Sequence, residues 1–337
     1  MSIQKNSTLE LFKLLASYMV VFIHVLFHGK LGIIVDALAR FAVPVFFLVS
    51  GFYSYQITCQ KIRKRIRNIV TLLIFATVIF NIFDIAALLY WNRAGFVALL
   101  EKYTELSTYI HFLIFNLTVN ASHVWYLWAV FYVYVIFYFV TKFQVKDKVI
   151  FPVSLLLLIL HILLGEGLSV AGIKLPIWYV RNFALMGIPF FSAGLFVKKY
   201  ESKFQFVPAY VIFASVIIGV SETVLSRCFL GENELYIGSL FILFAIVCTF
   251  IQYKDVKYPP FLTALEGCST YIYIFHLTIS YVLYVIYGML GIDVSGSVIL
   301  ENLHPLLVCV SSTVFAYFFM KLLKYFKKIQ LHKAKAG

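Results

Sequence analysis

The sequence predicts an all-α polytopic membrane protein: a single integral-membrane domain over residues 1–337, formed as a bundle of about ten transmembrane helices with both termini cytoplasmic. Three observations predict it. Of the 337 residues, 62% are hydrophobic and 13% are charged, with a mean hydropathy of +0.93; a soluble domain carries about twice that charged fraction. Apolar runs long enough, or nearly so, to cross a hydrocarbon core of about 30 Å recur along the whole chain. Lysine and arginine concentrate in every second connection between those runs.

The runs fall at about 9–28, 33–57, 69–90, 122–141, 150–165, 178–197, 207–226, 235–252, 268–290 and 303–324. The first, LELFKLLASYMVVFIHVLFH, carries Glu10, Lys13 and His24 in an otherwise apolar stretch, and no small-residue cleavage site follows it, so it is expected to remain in the mature protein. The second holds Arg40, then Pro44, which removes a helical hydrogen bond and either frees a carbonyl to line a cavity or simply kinks the helix. Its Ser50-Gly51 pair lets a neighbouring helix approach closely. The third follows the basic run KIRKRIR at 61–67. The segment 106–119 is short and holds His111 and Asn116, with Asn120 just after it, which predicts a surface-lying or re-entrant piece rather than a span. The fourth run opens on HVWYLW, the fifth is short, the sixth carries Arg181 and the ninth carries His276. After the tenth, a basic tail over about 325–337 reads as a stop signal beside anionic headgroups.

Of the 28 lysines and arginines, 20 fall in one set of connections and termini, 5 in the alternate set, and Lys13, Arg40 and Arg181 lie within spans. This bias sets the orientation and requires an even number of spans. The same distribution removes the nucleic-acid reading that a formal charge of +13 invites, because the charges sit in short loops between apolar runs. The five cysteines form no CxxC pair and no ligand spacing; most lie in or beside apolar runs, as small buried hydrophobes do. No HExxH, paired carboxylates, Walker-type loop, GxGxxG after a strand or GxSxG elbow is present, so no metal site is expected.

Ionisable groups at membrane depth are costly and are functional candidates by default. Lys13 and His24 are eleven residues apart, close to three helical turns, so both leave one helix face about 16 Å apart along the axis. With the orientation above, Lys13 is near the cytoplasmic face, His24 and Arg40 lie in the outer half, and Arg181 and His123–Trp128 lie near the outer surface. His276 is near mid-depth. His24 can take a proton from a hydroxyl attacking a thioester, or can be a structural histidine bonded to a neighbouring helix. Lys13 can bind phosphate, snorkel, or pair with Glu10 at i−3. The 61–67 run satisfies the positive-inside pattern and also suits phosphate. Trp125, Tyr126 and Arg181 fit an interfacial aromatic belt or a sugar site. His276 is either a helix-contact residue or a ligand-binding one. Asp84, His161, Glu222 and His304 hint at a polar outer vestibule.

Taken in order, LELFKLLASYMVVFIH, RFAVPVFFLVSGF, the basic run Lys61–Arg67, HVWYLW at His123–Trp128, the segment Arg181–Gly194 and STYIYIFH at Ser269–His276 resemble the acyltransferase 3 family of integral-membrane acyltransferases. The resemblance covers Glu10 to His276. It implies transfer of an acyl group, usually acetyl, from coenzyme A to a hydroxyl of a cell-envelope glycan, at the inner or plasma membrane. It implies that His24 acts on the hydroxyl or carries the acyl group, with Glu10 and Arg40 completing the catalytic set, and that Lys13 holds the donor with Lys64, Arg65 and Arg67. His123, Trp125, Tyr126, Arg181 and His276 are the expected acceptor-side residues. Lys13 replaces the family's usual arginine, which keeps the charge and loses the planar fork. Expected partners are acetyl-CoA or another acyl-CoA, a lipid-linked or surface glycan, the lipid bilayer and, in one of two open readings of the oligomeric state, further copies of the chain. A membrane transporter or flippase for an envelope precursor or small solute is the alternative; it lacks an evident inverted repeat or pair of broken helices.

Overall fold

The computed structural model describes residues 6–116 and 122–336. Lys5 and Asn120 lie outside the described residues, as do the side chains of Lys327, Lys333 and Lys335. The described residues form helices and no strand, and eight helical stretches are long and apolar enough to cross a membrane. The protein is a multi-pass helical membrane protein.

The chain runs through α1 (Ser7–His24), α2 (Gly29–Ala39), α3 (Ala42–Phe52), the 33-residue α4 (Cys59–Trp91), α5 (Arg93–Lys102) and α6 (Leu106–Phe115). After a 3-10 turn at Ser122–Val124 come α7 (Trp125–Lys142) and α8 (Asp147–Ile162). A π-helical turn (Leu163–Gly167) joins α8 to the short α9 (Leu168–Val170). A second π-helical turn (Phe183–Gly187) runs into α10 (Ile188–Lys199), and α11 (Glu201–Gln205), α12 (Ala209–Leu230), α13 (Ile237–Gln252), α14 (Pro260–Ala264), α15 (Cys268–Met289) and α16 (Val298–Ala336) complete the chain.

Several expected boundaries move, each for a local reason. The first span ends at His24, four residues early, with Val25 closing the last turn through its N–H to Val21 O at 2.7 Å. The second span starts at Gly29 and breaks at Arg40–Phe41, between α2 and α3. The break sits where the absent N–H of Pro44 frees the carbonyl four residues earlier, that of Arg40. The fifth stretch is not short: Asp147–Val170 is continuous over 24 residues. The sixth is not a single helix, because Asn182 caps a new one. Its Oδ1 accepts the N–H groups of Ala184 and Leu185 at 3.0 and 2.9 Å, so Arg181 precedes the helix instead of lying inside it. The expected eighth run is α13, a 16-residue apolar helix. None of the ten residues of α6 is buried. The basic tail continues α16, which reaches Ala336 without a break.

The chain divides into two compact units, 1–42 with 248–337, and 43–247. In the first, α1 packs against α2, α15 and α16. Its core is made by Leu14, Val21, Ile272, Val308, Ala316 and Met320, with buried Cys268 and Cys309 among them. Lipid tails are as apolar as these side chains, so van der Waals fit and interhelical hydrogen bonds hold such a contact. Tyr18 OH supplies one such bond, 2.9 Å from Thr313 Oγ1 of α16. In the second unit, α4 packs on α7 and α8 on α10. There α3 and α10 cross backbone to backbone: a Cβ on Gly51 would fall on the Phe191 carbonyl oxygen, and one on Gly194 on the Leu48 carbonyl oxygen. Only glycine permits that approach at either position. Of the five free cysteines, Cys248, Cys268 and Cys309 are buried, Cys59 is half-buried and Cys228 is exposed.

Candidate active site

In the first unit, α1 is held at both ends. At its start Asn6 caps the helix through Oδ1 to Leu9 N at 2.9 Å, while its Nδ2 donates to Phe250 O at 2.8 Å. Thr8 donates to Tyr253 O at 2.5 Å and meets Tyr258 OH at 3.0 Å. One turn on, Lys13 Nζ reaches both carboxylate oxygens of Glu10, at 3.0 and 3.1 Å. The i−3 pairing expected of Glu10 and Lys13 is therefore present. A lysine ammonium carries three protons, so one N–H of Lys13 is left over from this fork.

His24 is the last residue of α1, at the helix end rather than inside a longer span. Its ring lies 5.3 Å, centroid to centroid, from that of His276 on α15. His276 is fully buried, and its Nδ1 lies 2.8 Å from Tyr273 O and 3.3 Å from Ile272 O. Carbonyl oxygens only accept, so these contacts place a proton on Nδ1. His276 is thus both a helix-contact histidine and a neighbour of His24.

A cavity of about 350 Å³ opens at this end of the unit, lined by His24, His28, Ser280, Tyr284, Glu301 and His304 among others. His28 Nδ1 pairs with Glu301 Oε2. His304 is buried, with Nε2 3.1 Å from Ser280 Oγ and Nδ1 3.3 Å from Tyr287 OH. His304 answers to the expected polar vestibule. His28 and Glu301 were missed; the signal was a lone carboxylate at the edge of the last apolar run and a histidine four residues beyond His24. Arg40 is buried at the end of α2 with Nη2 2.6 Å from Asp36 Oδ1, both side chains under 7% exposed. Asp36, at i−4, is a third residue that its sequence context did not single out.

In the second unit, the basic run opens α4. Lys61, Arg63, Lys64 and Arg67 are exposed, whereas Arg65 turns inward. Its guanidinium donates to Ser54 Oγ at 2.7 Å, Tyr134 OH at 3.0 Å and Tyr53 O at 2.7 Å, and lies 5.9 Å from the Tyr134 ring centroid. The expected donor-binding set is therefore split: Lys64 and Arg67 are available at the surface, and Arg65 ties α4 to α7.

His123 is buried with its ring 4.2 Å from that of Phe80. Tyr126 meets Phe47 edge-on at 4.8 Å, and Trp125 lies 6.5 Å from the same ring. Arg181 donates to Glu234 Oε2 at 2.6 Å and sits 5.9 Å over Trp125. Of the expected acceptor-side residues here, the structure joins Trp125 to Arg181, with Glu234 as an unforeseen third member, and sets His123 against Phe80 and Tyr126 against Phe47. Glu234 also lines a second cavity of about 370 Å³ with Ser169, Lys174, Glu232 and Asn233. His161 is buried and Glu222 is spent on the start of α13, where it accepts from Gly238 N while Glu166 accepts from Ile237 N at 2.8 Å. Two carboxylates thus satisfy orphan donors of a helix N-terminus. Among the described residues no three His, Cys, Asp or Glu side chains form a metal-ligand group.

A many-helix membrane protein with three histidines and a carboxylate gathered round a cavity at one end of its helices fits a membrane-embedded transferase. A family model described as an acyltransferase domain matches residues 6–321 of 337, and the chain belongs to the acyltransferase 3 family. Comparison with curated proteins and with solved structures gives no match. The protein is accordingly a membrane acyltransferase.

Proposed function

We propose that the protein moves an acetyl group from acetyl-CoA to a hydroxyl of a cell-envelope glycan, at the inner or plasma membrane, with both termini in the cytoplasm. One observation carries the reading: the histidine that the family pattern places on the first helix ends that helix in a polar cavity, ring to ring with a second histidine. His24 is the acyl carrier. Its ring attacks the thioester carbon, the C–S bond breaks, and the CoA thiolate leaves with the electron pair and is protonated by water. His276, held through Nδ1 by the carbonyls of its own helix, orients His24. Lys13 takes a donor phosphate through its remaining N–H, with Glu10 as its positioning residue. The exposed Lys64 and Arg67 are a second candidate for the phosphates, separable from Lys13 by mutating each set alone. Arg40, paired with Asp36 at the end of α2, is kept as a candidate for steadying charge on the thioester oxygen. The Arg181, Trp125 and Glu234 cluster of the second unit, with a carboxylate, a guanidinium and an aromatic face, is a separate candidate for holding a sugar ring.

The test is envelope O-acetylation measured with the gene deleted, restored, and restored as His24→Ala. Ester must disappear on deletion, return with the wild-type protein and stay absent with the variant. Acetylation at the wild-type level with His24→Ala overturns the reading. Movement of a solute with no consumption of labelled acetyl-CoA selects the transporter instead.

A further inference from the structure

Two residues without a role in the reaction above share the cavity of His24. His28 lies in the turn between α1 and α2, and Glu301 in the first turn of α16. Their pairing is anchored twice. The His28 N–H donates to Asn302 Oδ1 at 2.9 Å, which fixes the turn beside α16, and the His28 ring meets the Glu301 carboxylate through Nδ1. Asn302 is itself held, donating from Nδ2 to Val298 O at 2.9 Å. An ionised carboxylate only accepts, so Nδ1 carries the proton and the lone pair of the neutral imidazole is on Nε2. The His28 side chain is 46% exposed, so this nitrogen belongs to a ring that incoming molecules can reach. A carboxylate that fixes the tautomer and then stabilises the imidazolium is the arrangement of a general base.

We propose that His28, oriented by Glu301, is the general base that activates the acceptor hydroxyl, and that this cavity is where an alcohol of a polyhydroxylated molecule meets the acyl group. The inference rests on the reading of His24 as acyl carrier. In the step, the hydroxyl oxygen attacks the acyl carbon on His24 and its proton passes to Nε2 of His28. The ester C–O bond forms, the C–N bond to His24 breaks, and its electron pair returns to the His24 ring. The proton then leaves His28 for water at the cavity mouth. Glu301 acts through His28 and is a positioning residue.

The experiment uses membranes bearing the full-length protein, labelled acetyl-CoA, and hydroxylamine as a competing acceptor. Hydroxylamine is nucleophilic without deprotonation, so its capture of the acyl group does not need the base. Two products are read: alkali-labile ester in the membrane and polysaccharide fractions, and acetohydroxamate. His28→Gln is expected to lower ester formation about 10²–10⁴-fold and to raise the hydroxamate-to-ester ratio by a similar factor. Glu301→Gln shifts the ratio in the same direction by less, and Glu301→Asp restores part of it. Hydroxamate formation in each variant shows that the protein is folded and takes up donor. Ester formation by His28→Gln at the wild-type rate overturns the proposal, as does an equal loss of both products. His24→Ala separates the two layers: loss of both products leaves the carrier reading standing whatever His28→Gln does, and wild-type levels of both overturn carrier and base together.

Discussion

Lys13 and Arg40 are both cations of apolar segments, and the structure gives them different partners and different consequences. Lys13 shares its carboxylate with solvent and keeps one N–H, so Lys13→Arg should preserve donor affinity or improve it, through the bidentate fork that a phosphate accepts. Lys13→Gln should raise the KM for acetyl-CoA with a smaller effect on kcat, and initial-rate kinetics on membranes checks both. Arg40 is enclosed with Asp36. Removing one member of a buried ion pair costs about 3–5 kcal/mol, whereas replacing both with apolar groups of similar volume recovers most of it. Arg40→Met should therefore lower the unfolding midpoint in detergent far more than Arg40→Met combined with Asp36→Leu. A double variant no more stable than the single one would contradict the pairing.

Helix packing and helix termination set the next scale. At the α3–α10 crossing, Gly51→Ala and Gly194→Ala each force a methyl into a backbone carbonyl, so each should destabilise the protein and lower its yield from membranes. Gly288→Ala, in α15 where an added Cβ meets nothing within 4 Å, is the matched control and should be neutral; thermal unfolding of the three variants is the comparison. Asn116 ends α6 in the left-handed conformation, with φ 50°, and its side chain joins two further elements. Oδ1 accepts from Phe183 N at 2.9 Å and Nδ2 donates to Trp125 O at 3.3 Å. Asn116→Gly keeps the backbone conformation and loses both bonds, so its cost, expected at about 1–3 kcal/mol, isolates the side chain from the turn. Periodicity and apolarity made the helices legible, because a long apolar run has no other way to satisfy its backbone in lipid. The interruptions were less so. The end of α1 at His24 and the fresh start at Phe183 depend on a cap bond and on neighbouring backbone, and no run of hydropathy encodes either. Glu234 and Glu301 escaped notice for a related reason: each is an unremarkable acid at the mouth of a loop until folding sets an arginine or a histidine against it.

For the molecule as a whole, the family pattern exposed His24, Lys13 and the late His276, since a charge inside an apolar run stands out in a chain with so few. What each of the other polar residues touches became visible only with coordinates, as Arg65 and His123 show. The orientation carries its own test. The 39 residues of α16 extend to about 58 Å, well beyond the roughly 30 Å of a hydrocarbon core. A protease site placed after Gly337 should be cut in inverted vesicles and spared in intact spheroplasts; the reverse pattern would turn the proposed topology over.

One earlier observation bears on what the enzyme measures. α1 is unbroken between Lys13 and His24 and clamped at each extremity, by Asn6 and Thr8 below and by the packing of His24 on His276 above. It therefore behaves as a ruler of fixed graduation, about 16 Å of helix axis from the Lys13 backbone to that of His24. What is gauged is the carrier arm between phosphate and sulfur, not the acyl group at its tip. Acyl-pantetheine, which has the arm without its nucleotide, should still deliver to His24 once there and lose only its grip at the far mark.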